Sequence, residues 1–342
     1  MIPPYQQAIH QITTTSLCWP KAKNGQLSAC SNCTRMLGHE KRRFIMTPDQ
    51  FEACAEVAKD FIYESPPCPR GRRKIIGIFG GDPILSPYFP EYVEILCQKV
   101  PDVIHRGLWV SLDWQTYVHP KYGPAEPHVI KLLGKRYNHH IGVNRHRGGG
   151  YINWNRHTED QSCEHQPTLV SISDVVNDEK HKWELISECW VNRDWSAAYA
   201  LDANGEPKFY FCEIASSFDR VFNLGTGLAV EPYVWRGELD FQSDENGILR
   251  PVGPYAQQIL QTCGRCGASL PLPGRQDLQL IDDVSQSNLV ALQQIGSPMV
   301  ARGDVKVFDD SQIAQYNESR IREEHQWSPQ EYIKRGSRTF KG

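Results

Sequence analysis

Residues 75–87 read IIGIFGGDPILSP. The run opens as a short buried strand, breaks at Gly80-Gly81 and passes through Asp82-Pro83 into the next element. Glycines at the end of a strand let backbone groups approach a ligand closely, because no Cβ stands in the way. A tight strand-to-helix turn explains the same residues, so the turn is informative only through its neighbours. Upstream, AIHQITTTSLC (8–18) is rich in Ile and Thr and predicts a strand that delivers Cys18 at its carboxyl end. Between the two lies TPDQFEACAEVAKDFIYE, where Thr47, Pro48 and Gln50 form a capping-box start. Phe51, Cys54, Val57, Ala58, Phe61 and Ile62 then recur at helical spacing, with Cys54 as packing. Downstream, PEYVEILCQKV (90–100) predicts a helix with Cys97 in its core stripe, GLWVSLDW (107–114) a strand, HVIKLLGKRY (128–137) a short helix and HHIGVNRH (139–146) a strand. Strand and helix alternate with short connections, the pattern of a parallel sheet with crossover helices, either an open sheet or a partial barrel.

The second half differs. WELISECWV, SAAYAL and KFYFCEI are short aromatic and apolar runs separated by turns at NGEP and ENG and followed by the glycine-rich NLGTGLAVEP. They predict a smaller, irregular β-containing unit. Residues 306–342 are mostly charged and predict a solvated helix and tail.

Composition narrows the class. The 342 residues are 40% hydrophobic and 23% charged, with 9 Trp, 14 Tyr and 12 Phe, which excludes disorder and fibrous repeats. The net charge of -3 gives no global field toward phosphate backbones or anionic membranes, and no aromatic-plus-basic signature appears, so nucleic acid is not an expected partner. No apolar run approaches the ~20 residues of a bilayer span. The start MIPPYQQAIHQ lacks a signal-peptide layout, and the cytoplasm is the expected compartment.

The 11 cysteines stand at 18, 30, 33, 54, 68, 97, 163, 189, 212, 263 and 266. An odd count in a chain long enough for its own core points to metal or redox chemistry rather than disulfide staples. Cys18, Cys30 and Cys33 form a C-x11-C-x2-C group, and three thiolates converging there would select zinc or an iron-sulfur cluster. Cys189, Cys212, Cys263 and Cys266 form a second set with a C-x2-C pair of its own, and thiolate chemistry permits either a cluster or a zinc ribbon. Cys68 and Cys163 have no partner that the sequence reveals. His139, His140, His146 and His157 lack metal spacing, RGRRK (70–74) and NRHRGGG (144–150) suit solvated loops, and Trp109, Trp114, Trp190 and Trp195 suit packing.

A cysteine loop after the first strand and a GGDP turn after the second together resemble the radical S-adenosylmethionine (SAM) enzymes, over roughly residues 8–175. The resemblance implies a 4Fe-4S cluster on Cys18, Cys30 and Cys33 whose open iron is chelated by SAM. It also implies contacts from Gly80, Gly81 and Asp82 to the methionyl amine. The chain departs from the family's C-x3-C-x2-C spacing by an insertion containing Asn24-Gly25, and carries Asp82 where Glu is usual. By position at strand ends, Ser111 and Asn144 are candidate contacts to the cofactor's ribose or carboxylate. The stretch WVNRDWSAAYALDANGEPKFYFCE followed by TCGRCGASL resembles the SPASM or twitch extensions of such enzymes, and implies a second, auxiliary 4Fe-4S cluster on Cys189, Cys212, Cys263 and Cys266. The expected fold is α/β: a (β/α)6-type partial TIM barrel over 1–180, an α+β auxiliary-cluster extension over 181–290 and a helical segment and tail over 291–342. The implied activity is reductive cleavage of SAM to a 5'-deoxyadenosyl radical that abstracts hydrogen from a peptide, protein or sugar-like substrate. The implied electron donor is flavodoxin or ferredoxin-like. The competing expectation is a non-catalytic binding or scaffold protein that uses both C-x2-C pairs to hold zinc.

Overall fold

The computed structural model describes residues 8–18, 21–23, 26–65, 73–111, 118–119, 123–124, 131–132, 136, 141–144, 151–153, 158–160, 164–189, 191–192, 196–231, 240–270, 272, 275–276, 279–309, 311–312 and 314. The fold is α/β around a mostly parallel central sheet. Its parallel strands are β1 (Ile9–Thr13), β2 (Ile75–Phe79), β3 (Arg106–Ser111), β4 (Ile141–Asn144) and, after the short antiparallel β5 (Tyr151–Asn153) and β6 (Thr158–Asp160), β7 (Ser196–Leu201). Two antiparallel strands, β8 (Pro207–Tyr210) and β9 (Leu228–Ala229), complete a nine-stranded sheet in the order β6-β5-β4-β3-β2-β1-β7-β8-β9.

The order reverses at β1, which lies between β2 and β7, and all of its residues are buried as expected for a strand covered on both faces. Even its polar side chains are packed. His10 stacks on Phe61 with ring centroids 3.7 Å apart, and burial, with the Lys74 charge nearby, holds its pKa well below the ordinary value.

Helix α1 (Pro48–Tyr63) has the expected capping box: Thr47 Oγ1 accepts from Gln50 N–H at 3.3 Å and Gln50 Oε1 accepts from Thr47 N–H at 2.9 Å. It buries Phe51, Cys54, Ala55, Ala58, Phe61 and Ile62 against β1 and β2, while Val57 is half-buried. Helix α2 (Phe89–Lys99) packs beside it with Val93 and Leu96 inward and Cys97 at the edge of the core. The 128–137 and 144–150 segments lie largely outside the described residues, as do Cys68, Cys163 and the four candidate histidines.

Three sequence expectations change. The run WELISECWV contributes no strand: Trp183 to Ser187 close helix α3 (Glu179–Ser187), capped by Asp178, whose carboxylate accepts from His181 N–H at 2.9 Å. Buried Trp183, Ile186 and Ser187 lie at helical spacing, i, i+3 and i+4, which the short window concealed. The SAAYAL run becomes β7 inside the central sheet, so residues on both sides of position 180 share one sheet.

Beyond β9, helix α4 having intervened as Glu213–Phe222, the chain forms the two-stranded pair Asp240–Ser243 and Leu249–Val252, then helix α5 (Ala256–Thr262). Strand β10 (Asp282–Val284), helix α6 (Gln286–Gln294), helix α7 (Pro298–Arg302) and strand β11 (Val305–Val307) follow, with β10 and β11 parallel. Residues 305–307 are therefore strand where a solvated helix was expected. No helix among the described residues is long and apolar enough to cross a membrane.

Candidate functional site

The carboxyl ends of β1 to β4 form one rim. Thr13 pairs with Phe79, and Ser111 pairs with Asn144, which sets these two candidate residues side by side at the ends of β3 and β4. Beyond β1 the chain continues through Thr14 to Leu17 toward Cys18, and the turn after β2 lies directly on it. Gly81 N–H donates to Thr15 O at 2.7 Å and Asp82 N–H to Leu17 O at 2.6 Å. A Cβ on Gly81 would stand 2.0 Å from Leu17 O; one on Gly80, whose φ is 155°, would stand 2.6 Å from Thr15 O. The glycines are thus required by the approach of two backbones. The Gly81 and Asp82 amides are engaged in this approach. What the turn offers is acceptors, since no donor reaches the Gly80 or Gly81 carbonyl among the described residues. Asp82 is fully buried.

The Cys30/Cys33 loop is fastened to the same rim. Arg43 donates to Ser16 O at 3.2 Å and Leu37 O at 2.9 Å, while the Leu37 side chain lies 3.1 Å from the Gly81 Cβ position. Asn32, between the two cysteines and left-handed at φ 47°, is clamped by the C-terminal part of the chain. Its N–H donates to Asp282 Oδ1 at 2.5 Å, its side chain donates to Asp283 Oδ2 at 3.0 Å, and its Oδ1 accepts from Asp283 N–H at 2.8 Å. Asp282 also holds His39 at 2.9 Å, and His39 meets Ser297 Oγ at 2.6 Å. This Ser-His-Asp order is a staple rather than a hydrolytic triad, because each of the three is only 1% exposed and Ser297 Oγ also caps α7 through Val300 N–H. Cys30 is buried, and Cys18 and Cys33 are half-buried. Burial pushes the Cys33 thiol up, and N–H groups of Leu37 and Arg35 bonded to its sulfur pull it back toward thiolate.

The second set shares one cavity. Cys189 follows α3, Cys212 caps α4, and Cys263 and Cys266 flank a short turn after α5; all four line one cavity, walled by apolar side chains such as Ile186, Phe211 and Phe218. The C-x2-C turn is held from behind. Asn288 donates to Arg265 O at 2.8 Å, Ser171 to Gly264 O at 2.9 Å and Gly267 N–H to Thr168 O at 3.0 Å. A Cβ on Gly267 would fall 2.3 Å from Pro167 O, so this turn also needs its glycine. Gln258 of α5 bonds both Phe209 O and Phe211 N–H, which fixes the strand that delivers Cys212.

Burial pushes the Cys212 and Cys263 thiols far up and Cys266 up to about 12, with the neighbouring thiols adding to each. Donors oppose this: Ala215 N–H on Cys212, Ala268 N–H on Cys266 at 3.4 Å, and the Thr262 and Asn192 side chains on Cys263. Hydrogen bonds to ligating sulfur are the usual support around metal thiolates. Cys54 is a built-in contrast, since burial alone drives its thiol up to about 12 with no donor on the sulfur. Among the described residues, no three His, Cys, Asp or Glu side chains close around a point where one ion would sit. Sequence reasoning found the four cysteines but not Asn192, Arg35 or the Asp282–Asp283 clamp, which have no spacing signal because their partners are distant in the chain.

No family model and no curated protein sequence matches the chain. Among solved structures, the crystal structure of BtrN in complex with AdoMet and 2-DOIA is similar to 64% of this chain and 77% of its own, at 12% identity and a TM-score of 0.33, an overlap too slight to bear on function.

Proposed function

We propose that the chain is a radical SAM enzyme whose mostly parallel sheet, with five parallel strands among the described residues rather than the six of a (β/α)6 barrel and with β1 inside it, forms a partial-barrel-like core, followed by an auxiliary-cluster extension. The observation that carries this reading is the seating of the Gly80-Gly81 turn on Thr15–Leu17, the residues that lead into Cys18, with the Cys30/Cys33 loop tied to the same rim. Ligands of α/β sheets bind beyond the carboxyl ends of strands, where the order reverses, and β1 is that point here.

The donor sets fit the implied groups. Three soft thiolates suit an iron-sulfur cluster with one iron left for a substrate ligand, whereas four suit a closed cluster. Cys189, Cys212, Cys263 and Cys266 line one cavity, and four thiolates on one cavity suit a cluster as well as they suit a tetrahedral ion, so the resemblance is what favours the cluster. A 4Fe-4S cluster on Cys18, Cys30 and Cys33 supplies, when bound, the electron that cleaves SAM to a 5'-deoxyadenosyl radical. The chain's own part is to position and to exclude water. The Gly80 and Gly81 carbonyls and the Asp82 carboxylate are acceptors matched to the methionyl ammonium. The Arg35 and Leu37 N–H groups stabilise the Cys33 thiolate. The Trp109 ring covers Gly77 and Gly107, where a Cβ would come within 2.1 and 2.7 Å of it, and so seals the sheet face beside the rim. Ser111 and Asn144 are proposed as further cofactor contacts, a flavodoxin or ferredoxin-like protein as electron donor, and a peptide, protein or sugar-like molecule as substrate.

Anaerobic reconstitution with iron and sulfide tests this. A brown protein that releases 5'-deoxyadenosine from SAM under a reductant is expected; a colourless protein holding only stoichiometric zinc would overturn it in favour of a zinc-stabilised scaffold.

A further inference from the structure

The geometry points to a linkage between the two cysteine sets through one buried ion pair, Arg35–Glu213, such that metal in either set tightens the other; this rests on the reading that both sets hold metal. Arg35 is two residues past Cys33 and Glu213 directly follows Cys212, and the residues stand 178 apart in the chain. Arg35 Nη2 donates to Glu213 Oε2 at 2.9 Å and Nη1 to Glu213 main-chain O at 3.3 Å, with both side chains only 5% and 6% exposed. The guanidinium also donates to Gln11 Oε1 on β1 and lies 4.2 Å from the ring centroid of Phe79, the residue before the Gly80 turn. Ser196 Oγ at the start of β7 donates to the same Glu213 oxygen at 2.8 Å. One side chain from just past Cys33 therefore touches β1, the last residue of β2 before the glycine turn, and the segment that presents Cys212.

A buried pair of this kind is not needed for stability as such, because apolar substitutes of both partners commonly do as well, and its best-attested use is to fix register. Here the register fixed is that of two loops, each carrying candidate ligands. Because the planar fork holds Glu213 by side chain and main chain together, ordering the Cys33 loop around a metal orders the Cys212 segment, and the second set then binds with less ordering left to complete. By reciprocity the reverse holds with the same factor.

Cobalt(II), whose thiolate complexes absorb distinctively, is the probe, titrated against a competing chelator into the full chain stripped of metal. The second set alone is read in Cys30→Ser/Cys33→Ser and the first set alone in Cys263→Ser/Cys266→Ser. The second set is expected to bind cobalt about 5-fold or more tightly when the first is loaded. In Arg35→Met/Glu213→Gln, which removes both charges so that none is stranded, the ratio falls to one while the cobalt–thiolate spectrum of each set persists. If that double variant does not fold, Arg35→Lys, which keeps the charge but loses the fork, reduces the ratio instead. A ratio of one in the unsubstituted chain, or a ratio unchanged in both variants, overturns the linkage alone. Cobalt bound by neither single-set protein overturns the metal reading and the linkage with it.

Discussion

Around Cys212 the structure gathers four thiols from three segments onto one cavity, with hydrogen-bond donors behind three of the sulfurs. Around Cys33 it builds a rim of backbone contacts in which the glycine turn sits on Thr15–Leu17, with Cys30 buried and Cys18 and Cys33 half-buried. Under the proposed function, this contrast is the one between closed structural metal sites and catalytic ones that keep a position open. The same C-x2-C spacing occurs in both, so only the surrounding contacts distinguish them.

The largest expected effect comes from the residue that joins the two regions. Arg35→Met alone strands the Glu213 carboxylate in a buried site and should cost about 3–5 kcal/mol, read from urea unfolding. A cost near zero would show that Glu213 is solvated and the regions independent. Next, Gly81→Ala places a methyl against Leu17 O, where main chain must move. It should cost about 1–3 kcal/mol and abolish SAM binding while leaving the second set's metal in place. Loss of metal from both sets would instead mean that the rim and cavity form one unit.

A smaller effect is expected at Cys54, which shares burial with the second set but not its donors. Cys54→Ala should lower stability by about 1 kcal/mol and leave iron content unchanged, whereas Cys212→Ala should remove the second cluster. Equal iron loss in both would remove the distinction drawn from the sulfur donors. The most gradual effect is with pH. In the metal-free chain the Cys266 thiol, raised from 9.0 to about 12, keeps its proton in the folded state where the unfolded chain gives it up. Its contribution to stability is full below pH 9 and is lost as pH rises toward 12. Urea midpoints should therefore fall above pH 9 in the metal-free protein and fall less in the loaded one, in which Cys54 alone of these buried thiols still titrates.

Much of the fold was legible where local chemistry decides it. Thr47-Pro48-Gln50 announced α1, and the alternation from AIHQI to HHIGV announced a parallel sheet. The place of β7 beside β1 was not legible, because SAAYAL reads the same at the centre of a sheet as in a small extension. The four thiols of the second set were visible as residues, but their convergence depends on Gln258, Asn288 and Gly267, whose partners are remote in sequence. At the turn after β2 the glycines were found and their reason was not: the approach that needs them is to Thr15 and Leu17, in the segment after β1 more than sixty residues earlier.

The measurement that bears most directly on the contrast between an open and a closed site is electron paramagnetic resonance of the reduced, reconstituted chain with and without SAM. Two cluster signals are expected, of which only one shifts on adding SAM, and in Cys30→Ala that signal alone disappears. A SAM-induced shift that survives in Cys30→Ala, or no shift in the unsubstituted chain, would contradict the assignment of Cys18, Cys30 and Cys33 as the open site.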